Sequence, residues 1–372
     1  MIQVNTMDRS KLNNMSEYLK TRIFGQNHVI DQVCDLVAIS AAGLGEENRP
    51  IASFLFSGPT GVGKTELAIE IAKYLDMDFI RFDMSEYANE SSYRNLIGGD
   101  KGLVGHEEGG LLTNAIVRNP QSVLLLDEIE KADKTVYNTF LQVFDHASLT
   151  DTKGNEVDFS QTIIIMTSNL GAKEEKGIGF GSNITFSKDD AVAEFFSPEF
   201  RNRIDKVIHF LPLNDTTALS IVKKYLNDLE IRLAIMDVYL HITGSVIEHL
   251  VQIGFDREMG ARSVKRIIQT EIKKRLAQEM LFGELKEGGG VEIDYLESEH
   301  KFVYTYTSLM KLDEELAEMY GVNTTTSYDF LTANEAQAFA KAHPGTVIVR
   351  SEDGQGFVIK RNNKDLKVDI LT

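Results

Sequence analysis

SFLFSGPTGVGKTELA, residues 53–68, joins a short apolar run to a glycine-rich turn and the start of an amphipathic helix. The run is continuously apolar, as in a strand buried on both faces of a sheet. The turn, Gly58-Pro59-Thr60-Gly61-Val62-Gly63-Lys64-Thr65, fits the pattern G-x-x-x-x-G-K-[ST]. Its glycines let backbone N–H groups encircle phosphates, and the helix behind it adds the positive end of its dipole. Lys64 is placed to reach the β- and γ-phosphates, and the Thr65 hydroxyl to ligate Mg²⁺. Beyond the turn, Leu67, Ala68, Ile71, Ala72 and Leu75 share one helical face. Strand, phosphate turn and helix in this order predict an α/β nucleotide-binding fold.

Working outward, FIRFDM (79–84), SVLLLD (122–127), QTIIIMT (161–167) and KVIHFL (206–211) repeat the short apolar pattern between amphipathic helices. The α/β alternation predicts a parallel sheet with helices on both faces. SVLLLD ends in Asp127 and is followed by Glu128, two acids at the strand end where such sheets bind ligands. Asp127 is expected to hold Mg²⁺ directly or through water, and Glu128 to polarise an attacking water. The combination reads as a nucleotide hydrolase.

Upstream, residues 14–44 read as helical with a break near Ile23-Phe24-Gly25-Gln26. After Pro212 helices are expected over 214–230 and 245–253, then through GARSVKRIIQTEIKKRLAQEML, with strands at VEIDYLE and KFVYTYT closing a smaller unit. In the last stretch, Thr332 and Glu335 have capping-box spacing, and TVIVR and GFVIKR flank SEDGQ as a hairpin. The expected divisions are a helical flank over 1–49, a large α/β domain over 50–212, a small helical lid domain over 213–307 and a small α+β C-terminal segment over 308–372.

The 372 residues are 42% hydrophobic and 26% charged, an ordinary globular composition. No apolar run approaches the roughly 18 residues that span a bilayer, so no membrane partner is expected. The formal net charge of −17 disfavours broad nucleic-acid binding. A single cysteine, Cys34, excludes an internal disulfide framework and fits a reducing cytoplasm.

FLFSGPTGVGKTELA, RFDMSEY, LLLDEIEKA, LTDTKGNEVDF, MTSNLG, FSPEFRNRID and GFDREMGARSVKRIIQ, in this order, resemble the Clp-type AAA+ ATPases. The likeness is greatest to the second ATPase module of the ClpA and ClpC type, and it runs from Ser16 to Thr307. It implies an ATP-hydrolysing large α/β domain, a small helical lid and a homohexamer that threads protein substrates through a central pore. By the same resemblance, Asn169 is the sensor that helps position the water. Arg203 is the arginine finger reaching the neighbouring subunit's γ-phosphate, with Arg201 the weaker candidate and a surface salt bridge the alternative. Arg262 is the sensor arginine that contacts phosphate from the lid, and Ile23, Gly25 and Gln26 pack around adenine.

GGDKGLVG, residues 98–105, falls at the family's pore loop, which commonly ends G-Y-V-G. Gly102, Val104 and Gly105 are kept, Leu103 replaces the aromatic, and Asp100-Lys101 replaces prolines. The exchange keeps apolar contact area and loses the ring face. Ile178-Gly179-Phe180 lies where ClpA- and ClpC-like modules carry an apolar tripeptide that docks on a ClpP-like peptidase ring. The expected function is therefore an ATP-dependent unfoldase feeding a peptidase. Two alternatives stay open: a disaggregase acting without a peptidase, and a regulatory module whose ATP state switches assembly. Whether the chain is a natural single-ring protein or a fragment also stays open, as does the role of 308–372.

Overall fold

The computed structural model describes residues 9–98, 109–151, 154–171, 188–254, 260–308, 328–330, 346–350 and 357–361. It divides into two compact units, Met1–Thr217 with Asp256–Ala261, and Ala218–Phe255 with Arg262–Thr372.

The first unit opens with helices α1 (Arg9–Leu12), α2 (Met15–Arg22) and α3 (Asn27–Ala41). β1 (Ala52–Ser57), α4 (Lys64–Leu75), β2 (Asp78–Asp83), α5 (Glu90–Ile97), α6 (Leu111–Arg118) and β3 (Ser122–Asp127) follow. Then come α7 (Lys134–His146), the hairpin β4 (Ser148–Thr150) and β5 (Glu156–Asp158), β6 (Thr162–Ser168), α8 (Lys188–Phe195), α9 (Pro198–Arg203) and β7 (Lys206–His209). β2, β3, β6, β1 and β7 form, in that spatial order, an all-parallel sheet. Strand order reverses at β1, whose carboxyl end therefore opens a crevice suited to a ligand.

Side-chain alternation along the strands builds two hydrophobic layers. Phe54, Phe56, Val123, Leu125, Ile163, Ile165 and Ile208 form one layer with Leu67, Ala68 and Ile71 of α4. Leu55, Leu124, Leu126, Ile164 and Met166 form the other with α6, α7 and α9. The Phe56 and Phe210 rings meet at 5.2 Å, both fully buried, each contributing about 2–3 kcal/mol by leaving water. The stretch read as an N-terminal flank shares this core: Met15, Leu19, Val29 and Val33 belong to the α4 layer.

The second unit takes most of α10 (Asp215–Ala234), then β8 (Val238–Ile242), α11 (Gly244–Gly254), α12 (Ala261–Ile267), α13 (Lys274–Phe282), β9 (Gly289–Leu296) and β10 (Lys301–Thr307). β9 and β10 fall on the two strands the sequence predicts and pair antiparallel. The unexpected element is β8, parallel to β9, which makes a three-stranded sheet. The single long helix expected here is interrupted by a π-helical turn, Ile268–Lys273. Val222, Leu226, Val246, Leu250, Val264, Ile268, Ile272 and Ile293 fill the core. Farther along, β11 (Tyr328–Phe330) and β12 (Thr346–Arg350) pair antiparallel with β13 (Phe357–Arg361). The strands of TVIVR and GFVIKR thus pair as expected, while SEDGQ between them and the proposed cap at Thr332 and Glu335 lie outside the described residues. Among the described residues no helix is long and apolar enough to cross a membrane.

Candidate active site

The turn between β1 and α4 holds its shape by backbone geometry. Gly61 and Gly63 have φ of +75° and +107°, a region that side chains other than glycine avoid. Gly63 caps α4, so the turn delivers Lys64 and Thr65 directly onto the first turn of that helix. Gly58 N–H donates to Ser168 O at 3.2 Å, tying the turn to the end of β6.

Lys64 is buried. Its ammonium donates to the carbonyls of Gly58 and of Pro59 (2.9 Å) and to Asn169 Oδ1 at 3.0 Å. These bonds already carry the ammonium's charge; exchanging the neutral acceptors for phosphate oxygens would add ion–ion attraction to them. Asn169 is the junction of the site. Its Oδ1 also accepts from Thr60 Oγ1 at 3.4 Å, its Nδ2 donates to Glu128 Oε1 at 3.4 Å, and its backbone N–H donates to Glu130 Oε1 at 3.0 Å.

Glu128 has φ +57° and ψ +51°. A residue with a Cβ avoids this left-handed region, at a cost of roughly 1–2 kcal/mol. Strand alternation would send its side chain to the face opposite Asp127; the turn breaks that alternation and brings the carboxylate to Asn169. Such strain concentrates at functional sites. Lys131 pairs with the other Glu128 oxygen.

Asp127 is buried at the end of β3. Its Oδ1 accepts from the Thr167 hydroxyl and its Oδ2 from Arg81 Nη2 at 2.7 Å. Thr167 Oγ1 in turn accepts from the Glu128 backbone N–H at 3.0 Å, so one β6 hydroxyl orients both acids. One carboxylate and the hydroxyl of Thr65 make a hard-oxygen donor pair. Among the described residues no three His, Cys, Asp or Glu gather into a metal cage. That donor set fits Mg²⁺, which is held by few protein oxygens together with phosphate and water.

Ile23 is buried with Val62 in the core beneath the turn. Gln26 is fully buried and both its polar ends serve the Leu211 backbone, Nε2 donating to O at 2.8 Å and Oε1 accepting from N at 3.0 Å. Gln26→Leu is therefore expected to destabilise the fold by about 1–3 kcal/mol, measured by denaturant unfolding, because it removes both hydrogen bonds that the buried amide makes to the Leu211 backbone.

Gly260 and Ala261 reach the phosphate turn from farther along the chain. Ala261 N–H donates to Gly61 O at 3.2 Å, and a Cβ on Gly260 would stand 2.8 Å from that oxygen. Arg262 follows next in sequence and is exposed. Arg203, at the end of α9, pairs with Asp145 and Glu199, each at 2.7 Å; Arg201 donates to Phe196 O at 3.2 Å. The pore-loop residues Gly102, Leu103, Val104 and Gly105 and the docking tripeptide Ile178, Gly179 and Phe180 lie outside the described residues.

The structure thus joins Lys64, Asn169, Glu128 and Asp127 into one connected site. Sequence reading passed over Thr167, Arg81, Lys131 and Glu130. All four stand inside recognised motifs, RFDMSEY, LLLDEIEKA and MTSNLG, but only strand pairing brings Arg81 and Thr167 to Asp127 and Glu130 to the Asn169 backbone.

Comparison with known proteins agrees with this geometry. Residues 49–207 match the AAA domain (Cdc48 subfamily), and residues 213–293 match the C-terminal, D2-small domain of ClpB protein. The ClpA homolog protein of Fuscovulum blasticum is 45% identical over 293 residues, 78% of this chain and 37% of that protein. The chaperone protein ClpB of Rhodopirellula baltica is 43% identical over 296 residues, 77% of this chain and 34% of that one. The ATP-dependent Clp protease ATP-binding subunit ClpE of Lactococcus lactis is 44% identical over 277 residues, 73% of this chain and 37% of that one. The chain spans about a third of the length of these curated relatives. A phosphate turn, a strained acid and its asparagine partner on a parallel sheet, with both domain matches in order, place the chain in the Clp family of AAA+ ATPases.

Proposed function

We propose that this ATPase is a Clp-type protein unfoldase and translocase that works as a homohexamer and passes protein substrates to a ClpP-like peptidase. The observation that carries the reading is the Lys64–Asn169–Glu128 chain of contacts. It ties the phosphate-binding lysine to a carboxylate aimed by backbone strain, which is machinery for hydrolysis and more than a nucleotide-triggered switch needs.

The residues divide the work by type. The turn over Gly58–Thr65 binds the phosphates, and Asn169 with Glu128 orients and deprotonates water. Mg²⁺, held through Asp127 and Thr65, would neutralise phosphate charge when bound. Arg203 serves the neighbouring subunit's site and Arg262 reads the nucleotide from the lid. Leu103 contacts the moving polypeptide, and Ile178 and Phe180 anchor the peptidase, six weak contacts gaining strength by simultaneous engagement. Peptidase partnering draws support from the ClpA- and ClpE-named relatives. The ClpB-named relatives and the ClpB small-domain match favour the second reading, a chaperone acting alone.

The test is degradation of an unstructured reporter with ATP, with and without a ClpP-like peptidase. Loss of reporter only when both are present is expected, and deletion of residues 178–180 should abolish it while ATP turnover continues. Reactivation of aggregated substrate together with no peptidase-dependent loss would establish the chaperone reading instead.

A further inference from the structure

Arg81 lies on β2, two residues before Asp83, which pairs in register with Asp127 of β3. Arg81, Asp83 and Asp127 alternate with the residues that face α6 and α7, so all three project to the α4 side of the sheet, where the phosphate turn sits. Arg81 Nη2 donates to Asp127 Oδ2 at 2.7 Å, while Thr167 takes the other carboxylate oxygen. The two ends of this ion pair differ in freedom. The Asp127 side chain is 8% exposed and fixed by Thr167, whereas that of Arg81 is 47% exposed. If the pair opens, the arginine is the partner that can move. Asp83, beside Asp127, offers the released guanidinium a second carboxylate.

We propose that Arg81 is a positioning residue of the nucleotide site: its guanidinium competes with Mg²⁺ for Asp127 Oδ2 and thereby sets how much magnesium the site requires. The proposal rests on the reading of Asp127 as the magnesium-side acid. A guanidinium bonded to one carboxylate oxygen and a divalent cation on the same oxygen repel strongly in a partly buried setting. Either the arginine leaves or the metal binds weakly. Removing the cation frees a buried carboxylate, which destabilises the metal-free protein and favours any cation that can replace it. The same substitution should therefore tighten magnesium binding while destabilising the metal-free protein.

Binding of a fluorescent ATP analogue to the full chain is measured while MgCl₂ is titrated, beside melting curves with and without MgCl₂. For Arg81→Gln the magnesium needed for half-maximal binding should fall about three- to tenfold, and the melting temperature without magnesium should also fall. Arg81→Lys, which keeps the charge, should restore most of the wild-type requirement. Arg81→Met, which keeps the aliphatic stem, replaces the glutamine variant if that one does not fold and carries the same expectation. An unchanged or higher magnesium requirement in the charge-removing variant overturns the proposal. Magnesium-independent binding by the wild type would instead overturn the reading of Asp127 on which it rests.

Discussion

Glu128→Gln is expected to lower ATP turnover by about 10²–10⁴-fold, some 3–5 kcal/mol in the barrier, while ATP binding persists. The substitution keeps the side chain's size and its ability to accept from Asn169 Nδ2 at one oxygen. It removes the basic oxygen that pairs with Lys131. Lys64, the turn glycines and Asp127 are untouched, so the groups proposed to hold phosphate and magnesium remain. The left-handed backbone at residue 128 also remains, held by its N–H bond to Thr167. Initial rates of phosphate release, beside equilibrium binding of a fluorescent ATP analogue, check the outcome. A parallel loss of binding and turnover would mean that Glu128 supports the turn rather than acting on water.

The phosphate turn and the five strands were legible because their signals are local. The three central strands are apolar runs buried on both faces, the edge strands β2 and β7 keep shorter apolar cores, and the observed bounds differ little from those read off the pattern: SVLLLD is β3 unchanged, and QTIIIMT shifts by one residue to Thr162–Ser168. β8 was not legible. VYLHI is five residues long, follows directly on a helix and gains its meaning from pairing with β9 about fifty residues later. The π turn at Ile268–Lys273 is invisible for a related reason: Ile268, Ile272 and Leu276 suit an unbroken helix equally well. In the site, the meeting of Lys64, Asp127 and Glu128 was legible because motif spacing sets them at the ends of neighbouring elements. Arg81 and Thr167 were missed because their importance comes from register across three parallel strands, which no window along the chain contains.

Arg203 presents the opposite case, a residue whose role came from resemblance and whose setting argues where it acts. Its helix α9 packs through Phe200 into the layer of α7, on the face of the sheet away from α4. Its contacts are with Asp145 and Glu199, and none of its described bonds is to the groups around Lys64. A transition-state role for Arg203 therefore calls for a second copy of the chain. If that role holds, Arg203→Ala should reduce turnover by roughly 10³–10⁵-fold in an assembled ring. The two ion pairs it gives up are partly exposed and contribute little to stability, so the fold should survive. Mixing Arg203→Ala with Glu128→Gln separates the possibilities. Each variant is inactive alone, but a seam that joins the intact Glu128 of one to the intact Arg203 of the other is complete, and random mixing makes about a quarter of seams so. Recovery of ATP turnover on mixing is the expected result, measured against each variant alone at equal total protein. If the mixture stays as inactive as its parts while rings of normal size form, Arg203 does not complete a neighbour's site.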